Sequence, residues 1–461
     1  MILLKKIGAL TSKVYAFKAR PWETSLIKSI DICDSLGSPV SVETKGAKIL
    51  RVLPRYNRHL QIEWCSDKAR YIHETNDKHR LASPSALNKK GRFQKLNSLA
   101  QQKKISIALL ASFNQLDVVV GRHLDNNTLY NAKLSARVLG GDCLSEFSNK
   151  LSKTFAFSYA SAKKLSDLES FKSILLLGLN PRWETTIANL LLRFRFLNGN
   201  FNVISVGNPV DLTYPSENYG SSFELLYNIS IGKHTQNQNL DKNALYACGD
   251  SLSQRTDAIS LHQYGSISHH SGKYKSLFLS CGANAIGIAH LAIGEWKHKN
   301  STYFVGADSA KSLKLVENKD FLCETPFVHK SIKKAFYLQP IQTYLEKNAH
   351  YIRYDGVVQV AHKALNFGVT ALKPILGIST SIKQKSFFSS LQKVKKIKYF
   401  LNIYTCDVFQ VLCKKDKRLK TKLTCVKSFY GNMYNSSSFI QTSPTLLQLA
   451  KLQNKMYWHF I

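Results

Sequence analysis

The stretch SILLLGLNPRWE, from Ser173 to Glu184, decides the fold that the sequence predicts. Its apolar run is typical of a buried β-strand, and a glycine turn separates it from the helical run TTIANLLLRFRFL. The next apolar run, NVISVGNP (Asn202 to Pro209), again ends in a turn. Short apolar strands that alternate with helices form parallel sheets in α/β layers. The sequence therefore predicts an α/β protein with parallel sheets.

Further runs extend this prediction in both directions along the chain. KISIALL from Lys104, ALYACGD from Ala244 and TYFVGAD from Thr302 are also read as strands of the α/β part. Before them, SPVSVET and AKILRVLP are separated by Lys45-Gly46, which is the pattern of a β-hairpin and predicts a small β-rich domain. The polar stretch from Ser83 to Lys104 is expected to connect the two parts and to lead into or contain a surface helix.

The charge of the chain is strongly unbalanced. It has 64 basic and 30 acidic residues among 461, a net charge of +34. Such a charge is typical of nucleic-acid-binding proteins, but no recognition motif of a nucleic-acid-binding fold accompanies it. An AT-rich genome that favours Lys, Asn, Ile, Phe and Tyr codons is the preferred explanation, and RNA binding stays open as an alternative.

The cysteines indicate the redox compartment of the chain, and its hydropathy indicates whether it crosses a membrane. The nine cysteines include no CxxC pair, which favours reduced thiols in a matrix-like or cytosol-like compartment. The longest apolar candidate, from Leu277 to Trp296, contains Asn284 and His290, so it is interpreted as a buried helix rather than a membrane span. We therefore expect no direct membrane span.

Four phrases carry a resemblance to a known family. They are GALTSKVYAFKARPWE (Gly8 to Glu23), LLLGLNPRWE, VGNPVDLTY (Val206 to Tyr214) and TYLEKNAHYIRYDGVVQ (Thr343 to Gln359). Together they resemble the large iron–sulfur subunit of respiratory complex I, the proton-pumping NADH:ubiquinone oxidoreductase. The likeness is to its molybdopterin-oxidoreductase-like back half alone. That resemblance implies molybdopterin-oxidoreductase-like α/β domains behind the small β-rich domain.

The opening phrase departs from the family at one chemically decisive place. In the family a Cys-Pro pair just before GALTSK supplies the last ligand of a four-iron cluster, whereas this chain has Lys5 and Lys6 there. An ammonium group cannot replace a thiolate on iron. The resemblance therefore implies a split gene, with the cluster-bearing half encoded separately. Because the likeness already begins at Gly8, we expect no removable presequence. We therefore expect the chain to be synthesised inside the mitochondrion.

The resemblance also implies a division of the chain into four parts. These are a connector to the cluster-bearing half, a small β-rich domain, a molybdopterin-oxidoreductase-like α/β region and a basic C-terminal extension. Their expected bounds are 1–26, 27–82, 83–380 and 381–461. The extension contains two lysine-rich runs, near Lys395 and from Lys414 to Lys422, which are expected on an exposed or subunit-facing surface.

The catalytic relatives hold a molybdopterin cofactor and often an additional four-cysteine cluster, so the resemblance identifies vestigial candidates for both. For the pterin they are Gly178, Asn180 and Arg182, on the predicted strand-to-helix turn. For the cluster only Cys33 and Cys65 are present where four thiolates are needed. We interpret the two cysteines as ordinary half-buried thiols. Arg182 and Glu184 are expected to form a structural ion pair or to cap the helix.

Two other patterns offer no chemistry. His269 and His270 lie in a polar, loop-like stretch with no further metal ligands at fixed spacing and are expected to be surface residues. The last of the four family phrases, Thr343 to Gln359, has His350, Arg353 and Val357 where the family has Thr, Asn and Arg, and the last change removes a guanidinium that could bind phosphate. No catalytic residue, cofactor site or metal site is assigned to this chain.

The resemblance predicts a structural and assembly subunit of the peripheral arm of mitochondrial complex I, on the matrix side of the inner membrane. It would carry no redox centre and would itself be non-catalytic, with the iron–sulfur clusters on the partner half. The expected partners are that separately encoded half and other peripheral-arm subunits, and no specific nucleic acid. Two alternatives stay open: a molybdopterin-dependent oxidoreductase domain and a basic organellar RNA-binding protein.

Overall fold

The computed structural model describes most of the chain up to residue 366 and a C-terminal segment. The described residues are 12, 14–58, 63–78, 80–88, 93–96, 116–146, 164–222, 225, 244–253, 276–291, 293–295, 301–306, 321–328, 332, 335–366, 434, 440 and 442–458. The lysine-rich runs after residue 390, His269, His270, Lys5, Lys6 and the strand predicted from Lys104 lie outside them.

The described elements alternate strands with helices over most of the chain. The strands are β1 (Ser25–Ile30), β2 (Pro39–Lys45), β3 (Lys48–Pro54), β4 (Ser85–Leu87), β5 (Phe93–Lys95), β6 (Leu116–Val120), β7 (Cys143–Ser145), β8 (Ser173–Leu177), β9 (Asn202–Val206), β10 (Glu217–Asn218), β11 (Ala244–Cys248), β12 (Ser276–Phe278), β13 (Gly294–Glu295), β14 (Ser301–Val305), β15 (Phe321–Thr325), β16 (Tyr337–Pro340), β17 (Ala349–Ile352) and β18 (Val358–Ala361). The α-helices are α1 (Asp67–Tyr71), α2 (Glu74–Lys78), α3 (Asn126–Val138), α4 (Pro181–Glu184), α5 (Thr186–Leu197), α6 (Asp250–Ser253), α7 (Ala285–His290) and α8 (Pro444–Trp458). Short 3-10 helices lie at Pro21–Glu23 and Leu165–Ser170.

Strands β1, β2 and β3 form an antiparallel sheet. Gly46 lies in the two-residue connection between β2 and β3 with φ +59°, a left-handed conformation that glycine adopts without steric cost. The hairpin predicted at Lys45-Gly46 is thus confirmed. Because side chains alternate along a strand, Val42 and Val52 face each other on the inner side of the sheet and join its core.

The core of this small sheet includes residues from far along the chain. Tyr344, Ala349, Tyr351 and other apolar residues up to position 365 pack into the same cluster as the inner face of β1 to β3. The backbone N–H of His362 also donates to the carbonyl of Lys28, which ties the segment after β18 to β1. The small sheet therefore shares its core with a hairpin more than three hundred residues later in the sequence.

The stretch that predicted the fold lies in the centre of a five-stranded parallel sheet. Its order is β10-β9-β8-β11-β12, so the chain runs outward on one side of β8 and then returns to continue on the other side. All five residues of β8 are buried. Helix α5 follows and packs Ile187, Ala188 and Leu192 into the core beside this sheet.

A further sheet has eight strands, in the order β13-β7-β6-β14-β15-β16-β4-β5. Six of its strands are parallel, and β4 and β5 add an antiparallel edge. Strands β4 and β5 lie in the polar stretch that begins at Ser83, which was expected to lead into or contain a surface helix. The described residues 83–88 and 93–96 contain no helix, so the prediction is wrong for a helix within them. An edge strand can be polar on both faces, and all three residues of β5 are exposed.

The architecture confirms the predicted fold class: a small antiparallel β domain accompanies parallel-strand α/β sheets. The apolar run from Leu277 to Trp296 is not one helix, because it contains the end of β12, a turn and the short buried helix α7. Among the described residues, no helix combines the length and the hydropathy that crossing a bilayer requires.

Helix α8 returns to the small β domain from the far end of the sequence. Leu446 and Ala450 are buried on one face of the helix, which packs against α1. The Glu74 carboxylate of α2 accepts hydrogen bonds from the Ser443 hydroxyl at 2.8 Å and from the Thr445 amide at 3.1 Å. A carboxylate at this position complements the helix dipole and occupies otherwise unpaired amides.

Candidate functional site

The candidate site is the crevice at the carboxyl edge of the five-stranded sheet, between β8 and β11. In open α/β sheets ligands bind where neighbouring strands continue in opposite directions, and β8 and β11 are such a pair. The turn after β8 begins at Gly178, whose φ of +55° is left-handed and whose N–H donates to the Val206 carbonyl at 2.9 Å. Helix α4 starts directly after this turn, at Pro181.

The Glu184 side chain occupies this crevice. Its Oε2 accepts a 2.8 Å hydrogen bond from the backbone N–H of Asn180. A Cβ added to Gly249, at the end of β11, would lie 3.2 Å from the same oxygen and 3.2 Å from the Gly178 carbonyl. Burial, followed by the nearby Asp250 carboxylate, raises the pKa of Glu184 to about 8. A largely protonated, neutral carboxyl group therefore fills the space between the two strands at neutral pH.

Asp250 organises the opposite wall of the crevice. Its Oδ2 accepts hydrogen bonds from the Ser280 hydroxyl at 2.9 Å and from the Cys281 amide at 2.8 Å, both just after β12. The Ser251 hydroxyl donates to the Gly178 carbonyl and so joins the ends of β11 and β8. Burial, and then the nearby carboxylates, raise the pKa of the Cys281 thiol well above its usual value, so this thiol is not a reactive nucleophile.

The small β domain closes the crevice from a third side. Residues 31–36, which follow β1, are all buried. The Ser35 amide donates to the Ser280 carbonyl at 2.9 Å, and the Ser280 amide donates back to the Ser35 hydroxyl at 3.0 Å. Burial, followed by the charge of Asp31, raises the pKa of Asp34 to about 8. A second carboxyl group that is protonated near neutrality thus lies in the same interface.

Lys68 places a buried positive charge among these acids. Only 4% of this residue is exposed, and its Nζ donates to the Trp183 carbonyl at 3.0 Å. Its ammonium charge lowers the pKa values of Asp31, Asp34 and Glu184 and so offsets part of the effect of burial on each. Lys68 therefore connects α1 of the small domain to the turn at the centre of the parallel sheet.

The three vestigial pterin candidates lie at the predicted turn, but their groups do not face one common site. Gly178 and Asn180 form the turn, whereas the Arg182 guanidinium binds Asp211 at the surface and lies 5.2 Å from the Trp183 ring. The expected ion pair between Arg182 and Glu184 is therefore wrong, because Glu184 turns inward to cap Asn180 and Arg182 turns outward. Capping by Glu184 was the other expectation, and the structure has it.

On the opposite wall the Arg353 guanidinium is already paired with a carboxylate. Arg353 is buried and forms a bidentate pair with Asp355, through Nε to Oδ1 at 2.7 Å and through a second contact between Nη2 and Oδ2. Val357, which stands where the family has an arginine, is exposed. The backbone N–H of Asn180 is bonded to Glu184, and the guanidinium groups of Arg182 and Arg353 are both bonded to aspartates. These three groups therefore offer no unpaired donor to a pterin dinucleotide.

Cys33 and Cys65 do not supply an iron–sulfur site by themselves. Both are buried in the core of the small β domain. Burial and then Asp31 raise the pKa of Cys33 well above its usual value, and burial raises the pKa of Cys65 to about 11. A four-iron cluster needs four thiolate ligands, and these two cysteines supply at most half of them. Among the described residues, no group of three or more His, Cys, Asp or Glu side chains is arranged to hold a metal ion.

A second cleft lies at the carboxyl edge of the eight-stranded sheet. Its polar lining includes His123, Asp125, Thr343 and Lys347, and Lys347 forms an ion pair with Asp125. The Nδ1–H of the His123 ring donates a 3.1 Å hydrogen bond to the Ile32 carbonyl of the small domain. The cleft has a volume of about 20 Å³, which is room for about one water molecule.

Three residues of the crevice were not predicted from the sequence: Asp250, Lys68 and Ser35. ALYACGD does place Asp250 at a strand end, which is the one local signal that could have identified it. Lys68 lies in a charged stretch that resembles a solvated helix, and nothing in that stretch distinguishes it from its exposed neighbours.

Parallel sheets with polar side chains gathered at their carboxyl edges define an α/β protein of the kind that binds nucleotide-like cofactors. The sequence profile described as molybdopterin oxidoreductase matches residues 96–371, which is more than half of the chain. The chain therefore belongs to the molybdopterin oxidoreductase family. A second profile, described as NADH-ubiquinone oxidoreductase NDSU1/NuoG-like, 4Fe-4S domain, matches residues 24–74.

Three relatives indicate which branch of the family the chain resembles. The NADH-ubiquinone oxidoreductase 75 kDa subunit of Reclinomonas americana is 26% identical over 98% of this chain and 72% of its own length. The mitochondrial 78 kDa subunit of Candida albicans is 27% identical over 79% of this chain and 53% of its own length. The 75 kDa subunit of Dictyostelium citrinum is 32% identical over 57% of this chain and 40% of its own length.

These relatives confirm the resemblance to the large subunit of complex I. The chain spans between two fifths and three quarters of the length of these relatives. Among solved structures, the formyltransferase/hydrolase complex of Methylorubrum extorquens has a TM-score of 0.46 at 10% identity, covering 61% of this chain and 93% of that one. That score is too low to establish a common fold.

Proposed function

We propose that this chain is a structural and assembly subunit of the NADH-oxidising peripheral arm of mitochondrial complex I and carries no redox centre of its own. The observation that carries the proposal is the Glu184 carboxyl group, which accepts a hydrogen bond from the backbone N–H of Asn180 in the crevice where the family fold would hold its cofactor. The relatives, which are named as complex I subunits and in one case as mitochondrial, support the assignment to that assembly.

The same proposal extends to the iron–sulfur clusters. The segment that matches a 4Fe-4S profile contains only Cys33 and Cys65 as cysteines, two ligands short of the four that such a cluster needs. We therefore propose that the clusters lie on a separately encoded, cluster-bearing polypeptide and that this chain contacts it. Supporting that polypeptide on the matrix side of the inner membrane, together with other peripheral-arm subunits, would be the mechanical role of the chain.

Two experiments test this function. Native electrophoresis of solubilised mitochondrial membranes should show the chain at the position of NADH dehydrogenase activity. The isolated chain should contain no stoichiometric iron, acid-labile sulfide or molybdenum, and Cys33→Ser together with Cys65→Ser should leave its metal content unchanged. Stoichiometric metal that is lost in the double variant would instead establish a cluster on this chain.

The RNA-binding alternative is distinguished by salt. Phosphate contacts release counterions, so RNA retention that serves a function would fall steeply as salt rises. We expect only weak, non-specific retention and comigration with complex I. Sedimentation with ribosomes in high salt, together with absence from the respiratory complex, would overturn the proposal.

A further inference from the structure

The outer face of the small sheet presents large apolar side chains to solvent at its hairpin end. Leu26, Glu43 and Arg51 are directly opposite one another across β1, β2 and β3 and therefore share one face. Glu43 and Arg51 neutralise each other through a bidentate ion pair, with Nη2 to Oε1 at 3.0 Å. Leu26, at the end of this row, has 64% of its surface exposed.

The segment before the sheet is held against the same row. The Tyr15 ring lies over the Arg51 guanidinium, 4.0 Å from its carbon, and the Tyr15 hydroxyl donates to the Ala19 carbonyl at 3.4 Å. This turn leaves Phe17 with a left-handed φ of +60° and a fully exposed side chain. A phenylalanine adopts this conformation only at a cost in free energy, and here the conformation directs the ring into solvent.

Trp22 lies in a short helix that the Glu23 carboxylate holds in place. Glu23 accepts the Arg20 amide at 3.0 Å and the Lys45 ammonium at 2.8 Å, which holds the short helix Pro21–Glu23 against the end of β2. Trp22 itself has 80% of its surface exposed. Aromatic side chains have only two rotatable bonds and so lose little entropy on binding, and they contribute much of the binding energy of protein interfaces.

The charges around this patch are of one sign. Lys18, Arg20, Lys28 and Lys48 are exposed, whereas Glu23 is already bonded to Lys45 and Glu43 is buried against Arg51. Complementary charge steers association and excludes wrong partners. An apolar patch surrounded by carboxylates would match this surface. Phe17 and Trp22 offer planes on which bases could stack. Leu26 offers only apolar surface, and an apolar protein patch covers all three side chains whereas stacked bases leave Leu26 uncovered.

We propose that Phe17, Trp22 and Leu26, the connector patch, form the docking surface for a protein partner whose own patch is apolar and bordered by Asp and Glu. The identity of this partner rests on the proposed function: it is the cluster-bearing polypeptide of the peripheral arm. Its contact with the connector patch would anchor that polypeptide to the small β domain, whose core in turn reaches the crevice through Ser35 and Lys68.

Carbodiimide crosslinking of the native assembly tests the chemistry of this contact, because it joins lysine amines directly to carboxylates. We expect Lys18, Lys28 or Lys48 to be joined to Asp or Glu of a cysteine-rich polypeptide. In parallel, hydroxyl-radical oxidation of Trp22 should fall at least tenfold between the isolated chain and the assembly. Leu197, exposed to 66%, should be oxidised equally in both.

A matched pair of variants separates docking from folding. Leu26→Ser and Leu197→Ser remove side chains of the same type and nearly equal exposure, 64% and 66%. Leu26→Ser combined with Trp22→Ser should reduce incorporation into the assembly at least tenfold, whereas Leu197→Ser should leave incorporation unchanged. The double variant and Leu197→Ser should unfold at the same temperature midpoint.

The outcomes distinguish this inference from the proposed function. If the chain comigrates with complex I but Trp22 is oxidised equally in the assembly, the docking surface is wrong and the function stands. Crosslinks only to a second copy of this chain, or protection of Trp22 by RNA, would also overturn the docking surface. If the chain is absent from complex I, the proposed function fails first.

Discussion

The Glu184 carboxylate accepts a 2.8 Å hydrogen bond from the backbone N–H of Asn180, four residues earlier, across the first turn behind the central strand β8. An amide at this position of an open α/β sheet is normally available to a ligand phosphate. Here the chain provides the acceptor itself. Glu184 thus takes the place that a ligand phosphate would occupy. Because Glu184 is a buried carboxyl group, the stability of the site depends on pH.

The first prediction concerns that pH dependence. Burial raises the pKa of Glu184 to about 8, so the folded state favours the protonated carboxyl and loses stability as the pH rises through that value. Glu184→Gln keeps an acceptor for Asn180 but cannot ionise. Between about pH 5 and pH 8.5 the fall in unfolding free energy should be smaller in the variant by an amount on the order of 3 kcal/mol.

Urea unfolding at several pH values measures this difference. The exposed Asp211→Asn change is the matched control, because it also removes one carboxylate from the same sheet edge and should leave the pH profile unchanged. Parallel losses of stability in the wild type and in Glu184→Gln would contradict the prediction.

The second prediction concerns Lys68. Replacing it with Met removes the buried ammonium that donates to the Trp183 carbonyl and that offsets the burial of Asp31, Asp34 and Glu184. We expect a loss of about 2–4 kcal/mol in unfolding free energy, because all three acids lose the positive charge that they share. Lys172→Met, at an exposed position next to β8, should cost less than about 0.5 kcal/mol.

Local features of the fold could be predicted because their signals lie within a few residues. The strand–turn–helix unit at Ser173 to Glu184 was recognisable from an apolar run, a glycine and a proline at the helix start. The hairpin at Lys45-Gly46 was recognisable because the turn needs a residue that tolerates positive φ. Both elements are determined by short-range geometry.

The crevice itself could not be predicted, because its parts come from distant segments. Ser35 and Ser280 exchange two hydrogen bonds although 245 positions separate them. Polar residues such as Lys68 also carry no sign in the sequence that they will be buried, since burial of a lysine depends on which acids the fold brings near it. The two short strands β4 and β5 were missed for a related reason: their pairing, and not their polar composition, makes them strands.

The third prediction concerns a buried ion pair that joins the small domain to the eight-stranded sheet. Arg80 Nε and Nη2 lie 2.8 and 2.6 Å from the two oxygens of Glu346, and the same guanidinium donates to the Pro326 and Ile341 carbonyls at 2.7 and 2.8 Å. Removing one partner of such a pair leaves a buried charge unpaired. Arg80→Met should therefore cost about 3–5 kcal/mol in unfolding free energy.

Two further variants test the geometry. Arg80→Lys should not restore stability, because an ammonium cannot reproduce the planar, bidentate contact and the two carbonyl contacts together. Arg80→Met combined with Glu346→Gln should cost less than the sum of the single changes, since neither charge is then left alone. Additive losses in this double-mutant cycle would show that the pair is not coupled.

The last prediction concerns helix α8, which is attached to the small domain at its N-terminus. Ser443 acts as the N-cap, with its hydroxyl oxygen 3.3 Å from the Leu446 amide, while Glu74 accepts from Ser443, from the Thr445 amide and from the Thr445 hydroxyl at 2.7 Å. Glu74→Ala removes all three contacts without touching the helix. The segment should then open more readily by about 1–2 kcal/mol, because an external cap and a favourable charge at the helix dipole are both lost.

Hydrogen exchange of the amides in Pro444–Trp458 measures this opening directly. Exchange should accelerate roughly five- to thirtyfold in Glu74→Ala, as expected for a free-energy change of this size, while amides of β8 should keep their protection. The exposed Glu63→Ala change is the matched control and should alter neither. Unchanged exchange in α8 of the Glu74 variant would mean that the apolar contacts of Leu446 and Ala450, and not the carboxylate, hold the helix to the small domain.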